Sequence, residues 1–201
     1  RKELKDYKKE LKELQDLDDA EKINSISTQI TNLYKSAYQT SDFVQKDFNE
    51  TNDAFHITYI KSRNTLQTMT FDEKRNERVY GTGSHARHTL IQLCGYLVFM
   101  KMLIEENRYP IIPILVIDHI SKGFEIWSIL VIDHISKPFD DQSIAAIGTV
   151  IHKAYESIGI DNLQIFMFDD ENNNKLNLNP NHIENLANDV RTGFNPFYNA
   201  R

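Results

Sequence analysis

Nine residues are written twice in this chain: ILVIDHISK occupies 114–122 and again 129–137, with six residues between the copies. Four apolar residues followed by an acid read as a strand that carries a carboxylate at its C-terminal edge. That edge is where open α/β sheets bind ligands, and a hard oxygen acceptor there suits Mg²⁺ and its waters. The full repeat is fifteen residues long, ILVIDHISKGFEIWS at 114–128 and ILVIDHISKPFDDQS at 129–143, identical at eleven positions. A recent tandem duplication, or an error in the recorded sequence, accounts for a likeness that slow divergence would have erased. Only one copy can fill a given position in a sheet, so the repeat constrains both the fold and the site.

The flanks distinguish the copies. Copy two runs into Pro138, Phe139 and Asp140, and then into an amphipathic pattern with Ile144, Ile147, Val150, Ile151 and Ala154 on one side. Copy one runs into Gly123 and FEIWS with no helix after it, although YPIIP leads naturally into it. Asp133 of copy two, followed seven residues later by Asp140, is therefore the expected working acid. Asp118 of copy one is the alternative, its segment expected to be an inserted loop or an extra edge strand. An isolated acid at a strand end is often only structural.

Upstream, the first 43 residues contain neither Pro nor Gly. Leu4, Tyr7, Leu11 and Leu14 follow 3-4-3 spacing, as do Ile23, Ile26, Ile30 and Leu33, with a phase slip around 17–22. The Lys/Glu-rich faces between them suit a solvated coiled-coil arm over 1–45; an amphipathic helix packed on a domain is the alternative. The chain opens at Arg1 in mid-pattern and without Met, as expected for part of a longer protein. From 46 to 201 a second region is expected. FHITYIKS, LQTMTF and ERVYG read as short strands. GTGSHARHTL reads as a glycine turn entering a long apolar helix that ends near Glu105. DDQSIAAIGTVIHKAYESIG reads as a helix, LQIFMF as a buried strand ending in Asp169, Asp170 and Glu171, and 182–191 as a last helix. Helices alternating with apolar strands predict an α/β layer with parallel strands.

Composition excludes some classes. A net charge of −6 and a pI near 5.6 are not those of a basic nucleic-acid-binding domain, though a local basic stripe is compatible with them. Cys94 is the only cysteine, so there is no disulfide framework, and a reducing cytoplasm fits. The most apolar window, 89–104, is only 16 residues long and contains Gln92 and Lys101, too short and polar for a membrane span.

Gly81, Thr82, Gly83 and Ser84 precede a helix, where free N–H groups and the positive end of the dipole suit a phosphate. The stretch also fits the loose dinucleotide pattern G-x-G-x-x-A, but the following helix is too long and no acid closes a second strand about twenty residues on. Alternatively the glycines only cap the helix. His85 and His88 form a weak candidate metal pair, with no further ligand spacing to support them. Arg87 could meet a phosphate or a partner carboxylate. Trp127 fits packing as well as contact.

DHISKPFD resembles the Walker B end and D-loop of ABC-type ATPases, whose pattern is Asp-Glu-Pro-Thr-Ser-Ala-Leu-Asp, and YGTGSHARHTLIQL resembles their signature motif. The order of arm, short strands, signature helix, acid-ended strand, D-loop helix and further strand is similar to the C-terminal lobe of an SMC-like ATPase head, within that group to Lamassu-like antiphage ATPases. This likeness spans most of the chain. It implies ATP and Mg²⁺ as ligands, with Asp133 as the metal-site acid, His134 in place of the catalytic Glu, and Asp140 in the D-loop. Thr82 and Gly83 would stand on the signature Ser-Gly. It further implies a homodimer or pseudo-dimer of heads, action on DNA, and accessory or effector subunits. The departures are specific. No G-x-x-x-x-G-K-[ST] occurs in the 201 residues, and Asp170 stands near the place of the switch His. Losing a positioned general base typically costs about 10²–10⁴ in rate. A degenerate lobe serving as a scaffold is the runner-up, and a dinucleotide-binding domain the third reading.

Overall fold

The computed structural model describes residues 2–81, 83–107, 112–118, 139–159, 161–168 and 174–183, with side chains from residue 7 onward and none for Asp118. The chain is mixed α/β. Helix α1 spans Lys2–Lys35, a 3-10 turn Ser36–Gln39 and α2 Asp42–Glu50. Strands β1 (His56–Ile60), β2 (Thr65–Phe71) and β3 (Glu77–Val79) follow, then α3 (His85–Glu106), β4 (Ile114–Asp118), α4 (Asp141–Ile158) and β5 (Gln164–Phe168). The expected strands, the long apolar helix and the helix after the repeat all appear within a few residues of their predicted bounds. The last helix expected over 182–191 falls almost wholly outside the described residues.

The single helix expected up to residue 45 is instead three pieces. Hydroxyls near the break take up local backbone carbonyls: Ser36 Oγ donates to Leu33 at 2.6 Å and Thr40 Oγ to Ala37 at 3.1 Å. Such bonds compete with the helical ladder. Ser41 is then extended, at φ −143° and ψ 118°, and α2 starts afresh.

The phase slip within α1 marks a change of environment. Tyr7, Leu11, Leu14 and Leu17 are exposed, Tyr7 at 71% and Leu14 at 59%, whereas Ile26, Ile30 and Tyr34 are buried. The second half of α1 also seals a sheet edge. Among the described residues β1 pairs only with β2, in the antiparallel order β1-β2-β3. Along its outer edge, the Ile57 N–H donates to Thr31 Oγ1 at 2.9 Å and the Tyr59 N–H to Ser27 Oγ at 3.0 Å. Two hydroxyls on one helix face thus satisfy donors that an open edge would leave for another chain.

α3 packs against α1, α4 and β2, and its buried residues cover a broad face of the helix, leaving His88 and Tyr96 exposed on the remaining side. α4 buries Ile144, Ile147, Val150, Ile151 and Ala154, the stripe expected from its periodicity. Gly148 lies so close to the Leu176 carbonyl that no Cβ would fit there.

β4 and β5 pair in parallel, Ile114 opposite Gln164 through Asp118 opposite Phe168. Leu115 and Ile117 face the core, while Ile114, Val116, Phe166 and Phe168 are exposed. The strand beside β5 is copy one of the repeat, the copy expected to be a loop or an extra edge strand; copy two lies outside the described residues. No described helix is long and apolar enough to cross a membrane.

Truncating the two halves of α1 separates them energetically. Ile30→Ala is expected to cost about 2–5 kcal/mol in urea denaturation, the usual range for a buried aliphatic. Leu14→Ala is expected to stay within about 0.5 kcal/mol, as at an exposed site.

Candidate functional site

The glycine turn joins β3 to α3. Gly81, Gly83 and Ser84 are exposed, and a Cβ built on either glycine meets nothing within 4 Å. Gly83 sits at φ +60°, a left-handed conformation that glycine adopts without strain. Ser84 is the N-cap of α3, extended at φ −117° and ψ 133°, and its side chain makes no capping bond. The first N–H groups of α3 are therefore not closed off by the cap hydroxyl, and the turn offers them, with that hydroxyl, to an approaching anion. Thr82 lies outside the described residues.

The starts of three helices meet here. The His85 ring lies 6.3 Å from that of Phe139, which immediately precedes Asp140. The Asp42 N–H at the start of α2 donates to Gln142 Oε1 at 3.4 Å, and the Arg87 guanidinium lies 5.6 Å from the Phe43 ring. Their dipoles make this end of the molecule favourable to negative charge. Asp42 and Asp141, each in a first turn, meet part of that preference.

Asp140 caps α4, its Oδ1 accepting the Ser143 N–H at 2.7 Å. Asp118 closes β4 opposite Phe168, at the C-terminal edge of the parallel pair. Asp133 and His134 lie outside the described residues, as do Asp169, Asp170, Glu171 and Trp127. His85 and His88 are both exposed, and among the described residues no three His, Cys, Asp or Glu side chains gather as a metal cage. Mg²⁺ does not require one, since it is commonly held by one or two carboxylates together with substrate phosphates and water. Cys94 is fully buried, and burial pushes its thiol up, which makes it an inert packing group.

Arg87 differs most from expectation. It is only 8% exposed, and its Nη1 lies 3.3 Å from Asp47 Oδ1, inside the core rather than out at the turn. Asp47 is fully buried on α2, and its Oδ2 accepts a hydrogen bond from the Tyr34 hydroxyl of α1 at 2.7 Å. On the other side of the turn, Tyr80 donates its hydroxyl to Glu50 Oε2 at 3.1 Å and packs its ring edge-on to Phe55. Burial first, and then that bond to Glu50, push the Tyr80 phenol up to about 12. α2 thus holds the glycine turn from both sides, through Asp47 to Arg87 and through Glu50 to Tyr80. Asp47, Glu50 and Tyr34 were not among the sequence candidates. Asp47 does leave a signal, since it shares an α2 face with Val44 and Phe48, where a core residue is due.

No family model matches the chain, and no curated protein is detectably similar to it.

Burial raises the Asp47 carboxyl above its ordinary range, opposed by the Tyr34 hydrogen bond and the Arg87 charge. A raised folded-state pKa means that the folded chain holds this proton more tightly than the unfolded chain does. The stability it contributes is present below the ordinary value of about 3.9 and is lost as pH rises through the raised one. Asp47→Asn cannot ionise. In urea titrations from about pH 4 to about pH 7, wild type is expected to lose stability relative to this variant, whereas parallel profiles would contradict the assignment.

Proposed function

We propose that this chain is the C-terminal lobe of an SMC-like, ABC-type ATPase head that binds ATP between two heads and couples it to sensing or processing DNA, in repair or antiphage defence. The observation that carries this reading is the meeting of the uncapped glycine turn with the Phe139–Asp140 segment at the His85 ring. Both lie in a chain whose parallel pair contains the repeated, acid-ended strand.

In this reading the turn at 81–84 presents its N–H groups and the Ser84 hydroxyl to a γ-phosphate held by the opposite head. The acid ending the repeated strand, Asp133 or its equivalent Asp118, would hold the metal, which would supply positive charge beside the phosphates. Asp140 spends one oxygen on capping α4 and faces the partner head with the other. His134, at the place of the general base, accepts a proton less effectively than a positioned carboxylate, so turnover is slow. Arg87 is an anchor for the turn and not a phosphate ligand. When bound, Mg²⁺ and ATP supply the charge that draws two heads together. The head dimer could also engage accessory or effector subunits.

The buried Arg87 favours a second reading, in which a degenerate lobe serves as a scaffold for a partner. Sedimentation of the intact natural protein, with and without Mg²⁺ and ATP, separates the two. The ATPase reading predicts nucleotide-dependent self-association and slow turnover, both weakened at least about tenfold, or about 1.4 kcal/mol, in Asp118→Ala with Asp133→Ala. Self-association that ignores nucleotide in the wild type would favour the scaffold.

A further inference from the structure

The exposed half of α1 carries an ordered apolar stripe. Tyr7, Leu11 and Leu14 stand above one another at 4-3 spacing with Leu17 beside them, and all four are more than half exposed. Single apolar residues on a surface are ordinary, but a continuous stripe along a helix marks a surface for a partner.

That stripe does not face the body on which the rest of the helix packs. At 3.6 residues per turn it lies roughly a third of a turn round the helix from Ile26, Ile30 and Tyr34, which are buried in the core. The rotation follows the phase slip at 17–22. Lys61, on the turn after β1, reaches Asp19 at 2.5 Å. The lobe thus meets the helix just C-terminal to the stripe and, among the described residues, leaves the stripe itself open.

The charges flanking the stripe select the partner. Glu10 and Glu13 border it on one side, Lys8, Lys12 and Gln15 on the other, and all five are exposed. A second copy laid parallel sets the acidic flank of each helix against the basic flank of the other. An antiparallel copy sets like against like and brings two Glu10 carboxylates close together. Asp18, which would continue the stripe, is held by Lys22 at 2.9 Å and ends the seam there. Such a seam covers only about two heptads, so the pair is weak and forms as concentration rises.

We propose that the N-terminal half of α1 docks on the same segment of a second copy, the two arms pairing in parallel along Tyr7, Leu11 and Leu14. A parallel pair carries both lobes at one end. That those lobes engage each other across ATP rests on the ATPase reading above; the pairing of the arms does not. It needs no nucleotide, and Mg²⁺ and ATP would tighten it only through the heads.

Sedimentation equilibrium of the intact natural protein without nucleotide, up to about 1 mM, tests the pairing. A monomer–dimer equilibrium is expected, weakened at least about tenfold in Leu11→Lys with Leu14→Lys. Both positions are exposed, so this variant is expected to keep the wild-type urea midpoint in dilute solution. Oxidation of Tyr7→Cys reports direction, because the native Cys94 is buried. In a parallel pair the two substituted positions meet and give a covalent dimer. In an antiparallel pair centred on the stripe they stand about 10 Å apart along the axis, and only a mixture of Tyr7→Cys and Leu14→Cys proteins cross-links. A monomer at every concentration, a dimer that the two lysines leave intact, or covalent dimers confined to that mixture would overturn the proposal. Each of these outcomes leaves the ATPase reading untouched, since nucleotide is absent throughout.

Discussion

The structure depends on one buried charge. Asp47 has no exposure to solvent, and a carboxylate in that position is tolerated only when it is paired and hydrogen-bonded. Two of its partners come from different elements, the Tyr34 hydroxyl from α1 and the Arg87 guanidinium from α3. Removing one partner of a buried pair typically costs about 3–5 kcal/mol, whereas replacing the whole set by apolar groups can cost nothing. Such a cluster is therefore better understood as fixing how three helices meet than as a net source of stability.

That fixing gives α1 two roles. From Ile26 to Tyr34 the helix is part of the core and closes the edge of β1; from Tyr7 to Leu17 it projects with its apolar residues exposed. Through Tyr34 the projecting helix is tied to Asp47, and through Asp47 to the first turn of α3, beside the glycine turn. A rigid element reaching from an exposed arm to a site is the kind of connection through which an arm and a ligand could bias each other. In the proposed ATPase head, this is the route by which nucleotide state would reach the arm.

Much of the fold could be read from local pattern. The alternation in FHITYI and LQTMTF, the continuous apolar run of α3 and the one-sided stripe of α4 each specify an element, because hydrophobic period and secondary structure share a geometry. The phase slip in α1 was visible as a slip, but which half would be buried depends on tertiary packing. The break at Ser36 to Ser41 was not visible, since hydroxyls compete with the helix only weakly and no Pro or Gly marks the place. Within the site, the glycine turn and the Asp140 cap follow from local chemistry. The direction of Arg87 does not, because it is set by an acid forty residues away that looked like any charged residue on an amphipathic helix. The position of the repeat was the least legible feature, since two identical strands carry identical preferences and only their flanks differ.

A double-mutant cycle between Tyr34→Phe and Arg87→Met tests most directly whether Asp47 joins the arm to the turn. Measured by urea denaturation, the two substitutions are expected to be non-additive by about 1 kcal/mol or more, because each removes a different partner of the same carboxylate. Additivity to within about 0.3–0.5 kcal/mol would contradict the account, leaving two neighbours of Asp47 that act independently.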